Sequence, residues 1–178
     1  TMMDRNLGAT SATPGDVGAL GLFYQWGRKD PFLGSSAISV SSVAKSTITW
    51  PGKVESSAET GTIAYAVTHP TTFISNADQY SNRDWYYTGD NTTDNTRWTE
   101  SENAKSVYDP CPAGWRVPDG GTDGIWNTAG FDDPTFDGTN KGKTFSNNGI
   151  EIWYPAAGYL AYDNVLSSAG TSLYCWTA

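Results

Sequence analysis

Histidine occurs once in this chain, as His69, and cysteine twice, as Cys111 and Cys175. A zinc site needs three or four nitrogen, sulfur or oxygen ligands, usually with Cys and His clustered. The sequence offers no such cluster. The two cysteines are not a CxxC redox pair. They permit one disulfide, which an extracellular setting favours, or two free thiols buried as small hydrophobes. Cations are scarce too: Lys and Arg number 11 against 19 Asp and Glu, for a net charge of −8. Phosphate binding needs clustered cations, so neither nucleic acid nor an anionic membrane is expected as a partner. No apolar run reaches the roughly 20 residues of a membrane helix, and direct membrane insertion is not expected. The start, Thr1-Met2-Met3-Asp4, lacks the basic and apolar regions of a signal peptide. A mature protein or an excised domain is the expectation.

Aromatics and glycine are what the chain does have. Eight tryptophans, ten tyrosines and six phenylalanines stand among 19 glycines, with a hydrophobic content of only 38%. Each large ring can bury roughly 150–250 Å², so rings must supply much of the core. Rings also stack on sugars and anchor interfaces. The composition points to an extracytoplasmic, loop-rich binding or scaffold domain, one domain over 1–178.

Helical periodicity is weak, and Gly, Pro, Asn, Asp, Ser and Thr interrupt most segments. Asp16 to Trp26 is the best helix candidate, with Asp16 as N-cap. A second short helix is expected at Asp123 to Thr128. Strands are expected at Met2 to Leu7, Thr47 to Trp50, Thr62 to Val67, Ile150 to Tyr154 and Leu173 to Trp176. Asn148-Gly149 reads as a hairpin turn. Gly34 to Ser46, Asp90 to Ser101 and Asp132 to Asn148 read as surface loops. The expected class is α+β, with a small twisted antiparallel sheet, few short helices and long loops.

No catalytic residue is assigned. A lone His69 before a proline is a turn or packing residue. Acidic neighbours such as Asp132-Asp133 prove no glycosidase geometry. Calcium is the one cofactor considered, because hard oxygen ligands suit it. Asp119, Asp123, Asp132, Asp133 and Asp137 form one acidic stretch, and Asp90, Asp94 and Asn95 another. No EF-hand spacing occurs, nor do the Glu-Pro-Asn and Trp-Asn-Asp signatures of calcium-dependent lectins. The competing reading is acidic loops that keep the surface solvated.

The segment DWYYTGDN at 84–91 and Trp98 set rings beside carboxylates and amides. Trp85, Tyr86, Tyr87, Asp90, Asn91 and Trp98 are therefore the candidate ligand-binding residues, with at least one exposed ring among them. The competing reading turns Trp85 and Tyr87 into the core by strand alternation. In KSVYDPCPAGWRVP, Pro110, Pro112 and Pro118 fix φ and Gly114 permits a reversal. That corner is expected to seat Trp115 in the core and to leave Arg116 to pair with a carboxylate or to donate to loop carbonyls. Trp26, Trp153 and Trp176 are the other expected core indoles.

Five segments occur in order: MDRNLGAT at 3–10, GLFYQWGRKDPF at 21–32, KSVYDPCPAGWRVP at 105–118, IWYPAAGY at 152–159 and LYCW at 173–176. Together they make the chain resemble the Fibrobacter succinogenes major paralogous domain family, especially members from Bacteroidetes. The resemblance spans nearly the whole chain. It implies a C-type-lectin-like or formylglycine-generating-enzyme-like fold. It also implies a place on lipoproteins or on secreted or fimbria-associated proteins, at the bacterial outer-membrane surface or outside the cell.

Family domains continue past the match to LYCW, to a motif with a further cysteine. The resemblance therefore implies a domain truncated at its C-terminus. It further implies that Cys111 lacks its partner and that Cys175 is an unpaired core thiol. The function it implies is a non-enzymatic binding or adhesion module. Its partners would be a glycan, a surface protein, other domains of the parent chain or pilus subunits. A purely structural display module is the alternative. A formylglycine-generating type of enzyme would need paired active-site cysteines, which the sequence does not place.

Overall fold

The computed structural model describes residues 1–32, 38–39, 42–43, 52–76, 82–93, 96–101, 104–131, 134–162 and 166–178. The architecture is α+β, built from short strands in six small sheets with two short α-helices among the described residues.

Asp16 accepts the Gly18 N–H on its carboxylate at 2.9 Å and starts a 3-10 turn at Val17–Ala19. The expected helix over Asp16–Trp26 goes no further. Gly21 takes φ +72°, outside the helical region. Phe23–Tyr24 then extends as β1 and pairs antiparallel with β2, Pro31–Phe32. Strands β3, Ile38–Ser39, and β4, Ser42–Val43, form the next antiparallel pair.

Strand β5, Gly52–Glu55, is followed by helix α1, Ile63–Thr68, and by β6, Thr72–Ser75, which runs parallel to β5. Where antiparallel pairing was expected, one of the six sheets is a parallel pair. The strand expected over 62–67 is instead the cap and most of a helix. Thr62 caps that helix by accepting the Tyr65 N–H at 3.1 Å. Pro70 disfavours helix at His69 and helps to end it. Phe73, Ile74 and Ser75 of β6 are buried, as a parallel strand under a helix should be.

Strands β7, Thr99–Ser101, and β8, Ala104–Lys105, pair antiparallel across a bulge. Helix α2 spans Ile125–Thr128, within the expected 123–128. The longest sheet follows: β9 at Phe136–Asp137, β10 at Gly142–Asn147 and β11 at Ile150–Pro155, in order β11-β10-β9. Asn148 and Gly149 both have positive φ, +51° and +80°, between the paired Asn147 and Ile150. That is the two-residue turn whose twist matches a hairpin. The loop read over 132–148 therefore contains β9 and all of β10. Strands β12, Tyr159–Leu160, and β13, Leu166–Ser167, complete the set.

Met2–Leu7 and Leu173–Trp176 are not strands. Side chains hold them instead. The Tyr154 hydroxyl donates to the Met3 carbonyl at 2.5 Å, and Asn6 Nδ2 donates to the Leu20 carbonyl at 3.1 Å. The strand expected at 47–50 lies outside the described residues, as does most of the loop at 34–46.

The core is aromatic. Trp98, Trp85 and Trp153 are buried, and each such side chain contributes about 1.5–3 kcal/mol from burial. Ala66, Ile74 and Trp85 form one buried cluster, flanked by Val54, Ile63, Tyr65 and Tyr86. Leu166 and Ala169 pack with Leu20, Phe23 and Leu160 in another. Trp126, Phe131, Phe145 and Tyr154 make a third group of edge-on and tilted rings.

Two expected core indoles are not there: Trp115 is 37% exposed and Trp176 54%, while Trp26 is half-buried. The 110–118 corner is fixed by polar side chains rather than by its indole. Asp109, itself buried, accepts the Cys111 N–H and the Val117 N–H, each at 2.8 Å. Lys105 Nζ donates to the carbonyls of Cys111 at 2.5 Å, Trp115 at 3.1 Å and Pro112 at 3.4 Å. Val117 turns inward in place of Trp115.

Candidate functional site

The segment 84–98 closes on itself through a knot of rings and charges. Trp85 donates its indole N–H to the Trp26 carbonyl at 2.6 Å, and its own carbonyl accepts from Ser56 Oγ at 2.7 Å. Trp98 donates to the Arg28 carbonyl at 3.2 Å and packs on Trp26 with ring centroids 5.5 Å apart. Tyr86 meets Trp85 edge-on at 5.9 Å. The Arg97 guanidinium sits among these rings, 4.7 Å from Trp26, 5.2 Å from Trp85 and 5.1 Å from Tyr86.

Trp85 and Trp98 are thus inside the protein, 4% and 1% exposed, and present no face to a ligand. Trp85 is buried as the competing reading had it, but in a bend rather than by strand alternation, and Tyr87 does not follow it fully inside. Tyr86 and Tyr87 are half-buried, so none of the four rings is fully exposed. Asp90 and Asn91 are at the surface. Asp90 accepts from the Thr92 N–H at 2.8 Å, Thr92 Oγ1 at 2.6 Å and Thr88 Oγ1 at 3.0 Å, and these bonds hold its carboxyl below the ordinary carboxylate range. It serves a local turn.

The acidic stretch is dispersed. Asp119 pairs with Arg116, with one contact of 2.7 Å, and Arg116 also donates to the Val117 carbonyl at 3.1 Å, so both alternatives for that arginine occur. The hydrogen bond from Arg116 lowers the Asp119 pKa. Asp137 accepts from the Thr139 N–H at 2.8 Å and the Asn140 N–H at 3.0 Å. Asp123 is exposed, and Asp132, Asp133, Asp94 and Asn95 lie outside the described residues. No group of three His, Cys, Asp or Glu able to hold a metal ion forms among the described residues.

His69 stacks flat on Tyr65 at 3.9 Å and its Nδ1 lies 3.0 Å from the Tyr65 carbonyl, a packing role at the end of α1. Cys111 and Cys175 are free. Burial, and next the nearby Asp109 charge, push the Cys111 thiol up to about 12, so it stays protonated at neutral pH. Cys175 is exposed and not the core thiol that was expected.

The exposed rings lie elsewhere. Tyr159, Tyr162, Tyr174 and Trp176 are 38%, 43%, 59% and 54% exposed. Tyr159 and Tyr174 meet at a centroid distance of 4.7 Å, tilted by 64°. Trp176 is anchored by its indole N–H on the Tyr24 carbonyl at 2.9 Å, and its ring abuts Trp98 at 6.1 Å. Tyr162 lies under the Arg83 guanidinium at 4.1 Å. Sequence reasoning missed this set because LYCW read as an apolar strand. The signal available was that Tyr174 and Trp176 alternate with Cys175, so that one side of such a segment is rich in rings.

Compared with protein-family models, with curated proteins and with solved structures, the chain finds no match.

Proposed function

We propose that this chain is a C-type-lectin-like domain of a bacterial surface protein and acts as a non-enzymatic binding or adhesion module. The observation that carries the reading is the Tyr159–Tyr174 pair with Trp176 nearby in sequence: exposed rings next to backbone anchored at the Thr177 carbonyl and the Ala178 N–H. Exposed rings of this size are costly to hydrate and mark surfaces that are used. A glycan would stack on them, and a protein would seat an apolar anchor there. The resemblance to the Fibrobacter succinogenes major paralogous domain family supports an extracellular or outer-membrane setting. Parent-chain domains or pilus subunits would then be neighbours. Calcium would be an accessory to such binding, not a requirement of the ring surface.

The burial of Trp85 and Trp98 favours the second reading, a display module that spends its aromatics on its own core. The third, a formylglycine-generating type of enzyme, would need paired active-site cysteines, which the sequence does not place. Binding to a glycan array, followed by titration of Tyr174→Ala, separates the first two. Loss of an interface anchor costs about 2 kcal/mol, roughly 30-fold in affinity. Binding that is absent, or unchanged in Tyr174→Ala, leaves the display module in its place.

A further inference from the structure

The stretches 152–162 and 166–178 contain no Asp, Glu, Lys, Arg or His, although charged side chains make up 17% of the chain and the net charge is −8. The two stretches meet in space. Tyr159 of β12 stands opposite Ser167 of β13. The Gly158 N–H donates to the Ser172 carbonyl at 3.1 Å, and the Gly170 N–H to the Ala156 carbonyl at 2.7 Å. The exposed rings of Tyr159 and Tyr174 touch across them, tilted by 64°. The surface that these stretches form therefore carries no formal charge. Asp163, between them in sequence, lies outside the described residues. The cation that reaches them is Arg83, which lies over Tyr162 and donates to the Asn76 carbonyl at 3.5 Å.

Polar capacity is nevertheless present. The Tyr159 and Tyr174 phenols and the half-buried Ser167 and Ser172 hydroxyls find no hydrogen-bond partner among the described residues. Opposite residues of an antiparallel pair share a face, with Cβ atoms about 4.5–5.5 Å apart, so Ser167 lies on the face of Tyr159. Each hydroxyl can both donate and accept. An apolar protein anchor seated there would strip water from these groups and return no hydrogen bond. An acidic ligand would bring a carboxylate or sulfate that no side chain of these stretches pairs, against the field of a net-negative chain. A sugar ring without charge offers a C–H face for the rings and hydroxyls for the hydroxyls.

We propose that the ligand of this surface is an uncharged saccharide, stacked on Tyr159 and Tyr174 and hydrogen-bonded by their phenols, Ser167 and Ser172. The proposal rests on the binding-module reading and adds to it the chemical class of the ligand.

The test is an array of neutral oligosaccharides beside sialylated, uronic-acid and sulfated forms of the same cores, followed by calorimetric titration of the tightest neutral member and its acidic counterpart. The neutral member is expected to bind, and the added acid group to weaken binding roughly tenfold or more. With no ion pair in the contact, the neutral Kd should move less than about twofold between about 50 and about 500 mM sodium chloride. Tyr174→Phe and Ser167→Ala should each weaken binding roughly fivefold, the worth of one hydrogen bond, and leave the thermal midpoint where it was. Equal or tighter binding of acidic members, above all if Arg83→Gln abolishes it, would overturn the proposal and leave the binding module standing. So would displacement of the sugar by tetramethylammonium, or hydroxyl variants that leave the neutral titration unmoved. An array without any bound member, or binding unchanged in Tyr174→Ala, would overturn the proposal and the binding-module reading together.

Discussion

Arg97 and Asp84 meet inside the protein: Arg97 Nη2 donates to both carboxylate oxygens, at 2.7 and 2.8 Å, with side chains only 3% and 8% exposed. The pair joins the two ends of the 84–97 segment, and three rings surround the cation. Asp84 also accepts the Tyr86 N–H at 3.1 Å, so one carboxylate fixes both the charge and the turn. Asp84→Ala leaves a buried cation uncompensated. The expected loss is about 3–5 kcal/mol, the range for breaking a buried pair from one side. Urea denaturation measures it, and a loss under about 1 kcal/mol would show that solvent reaches Arg97.

Trp98 and Trp115 should respond in opposite ways to truncation. Trp98 is enclosed and hydrogen-bonded to the Arg28 carbonyl. Its replacement by Ala should cost about 3–5 kcal/mol. Trp115 is held through its backbone by Lys105 and the Pro112 carbonyl, with its ring partly in solvent. Trp115→Ala should change stability by less than about 1 kcal/mol. Thermal unfolding of the two variants side by side tests the contrast; equal losses would place Trp115 in the core after all.

The Cys111 thiol gives a pH signature. Its ordinary value of 9.0 rises to about 12 in the folded protein, chiefly through burial. The folded state keeps a proton that the unfolded chain gives up, so stability is full below about 9 and declines as pH climbs toward about 12. Cys111→Ser removes that group. The wild type should lose stability more steeply than Cys111→Ser when urea midpoints are compared from pH 8 to pH 11, and parallel slopes would contradict the assignment. Iodoacetamide should also label Cys111 slowly in the folded protein and readily in urea.

Tyr174 is more than half exposed and rests on Tyr159. Tyr174→Ala should leave the unfolding free energy within about 0.5 kcal/mol of the parent while weakening any ligand bound there. Differential scanning calorimetry checks the first half, and a clear drop in midpoint would make the ring structural.

The sequence spoke clearly where chemistry is local. Asn148-Gly149 set a two-residue turn, Asp16 set a cap, and Arg116 found a carboxylate three residues on. It misled where tertiary partners decide. Thr62–Val67 has strand-forming residues, yet Thr62 caps a helix whose last carbonyls are gathered by Arg28, a residue far away in sequence. The two indoles of the candidate ligand set follow the same logic. Trp85 and Trp98 sit among polar neighbours in the chain, but Trp26 and Arg28 supply the carbonyls that let their indoles go inside. Arg28 itself drew no notice, because a lone arginine in sequence gives no sign that Nε will be left without a partner.

The last residues are tied down by crossed bonds: Trp176 donates its indole N–H to the Tyr24 carbonyl, Trp26 donates its own to the Thr177 carbonyl at 3.1 Å, and the Ala178 N–H reaches the Pro118 carbonyl at 2.9 Å. Tension entering at 178 would therefore load the Ala178 bond to 118 first and the Thr177 and Trp176 bonds to 24–26 after it, so release there has to pass three separate anchors in turn.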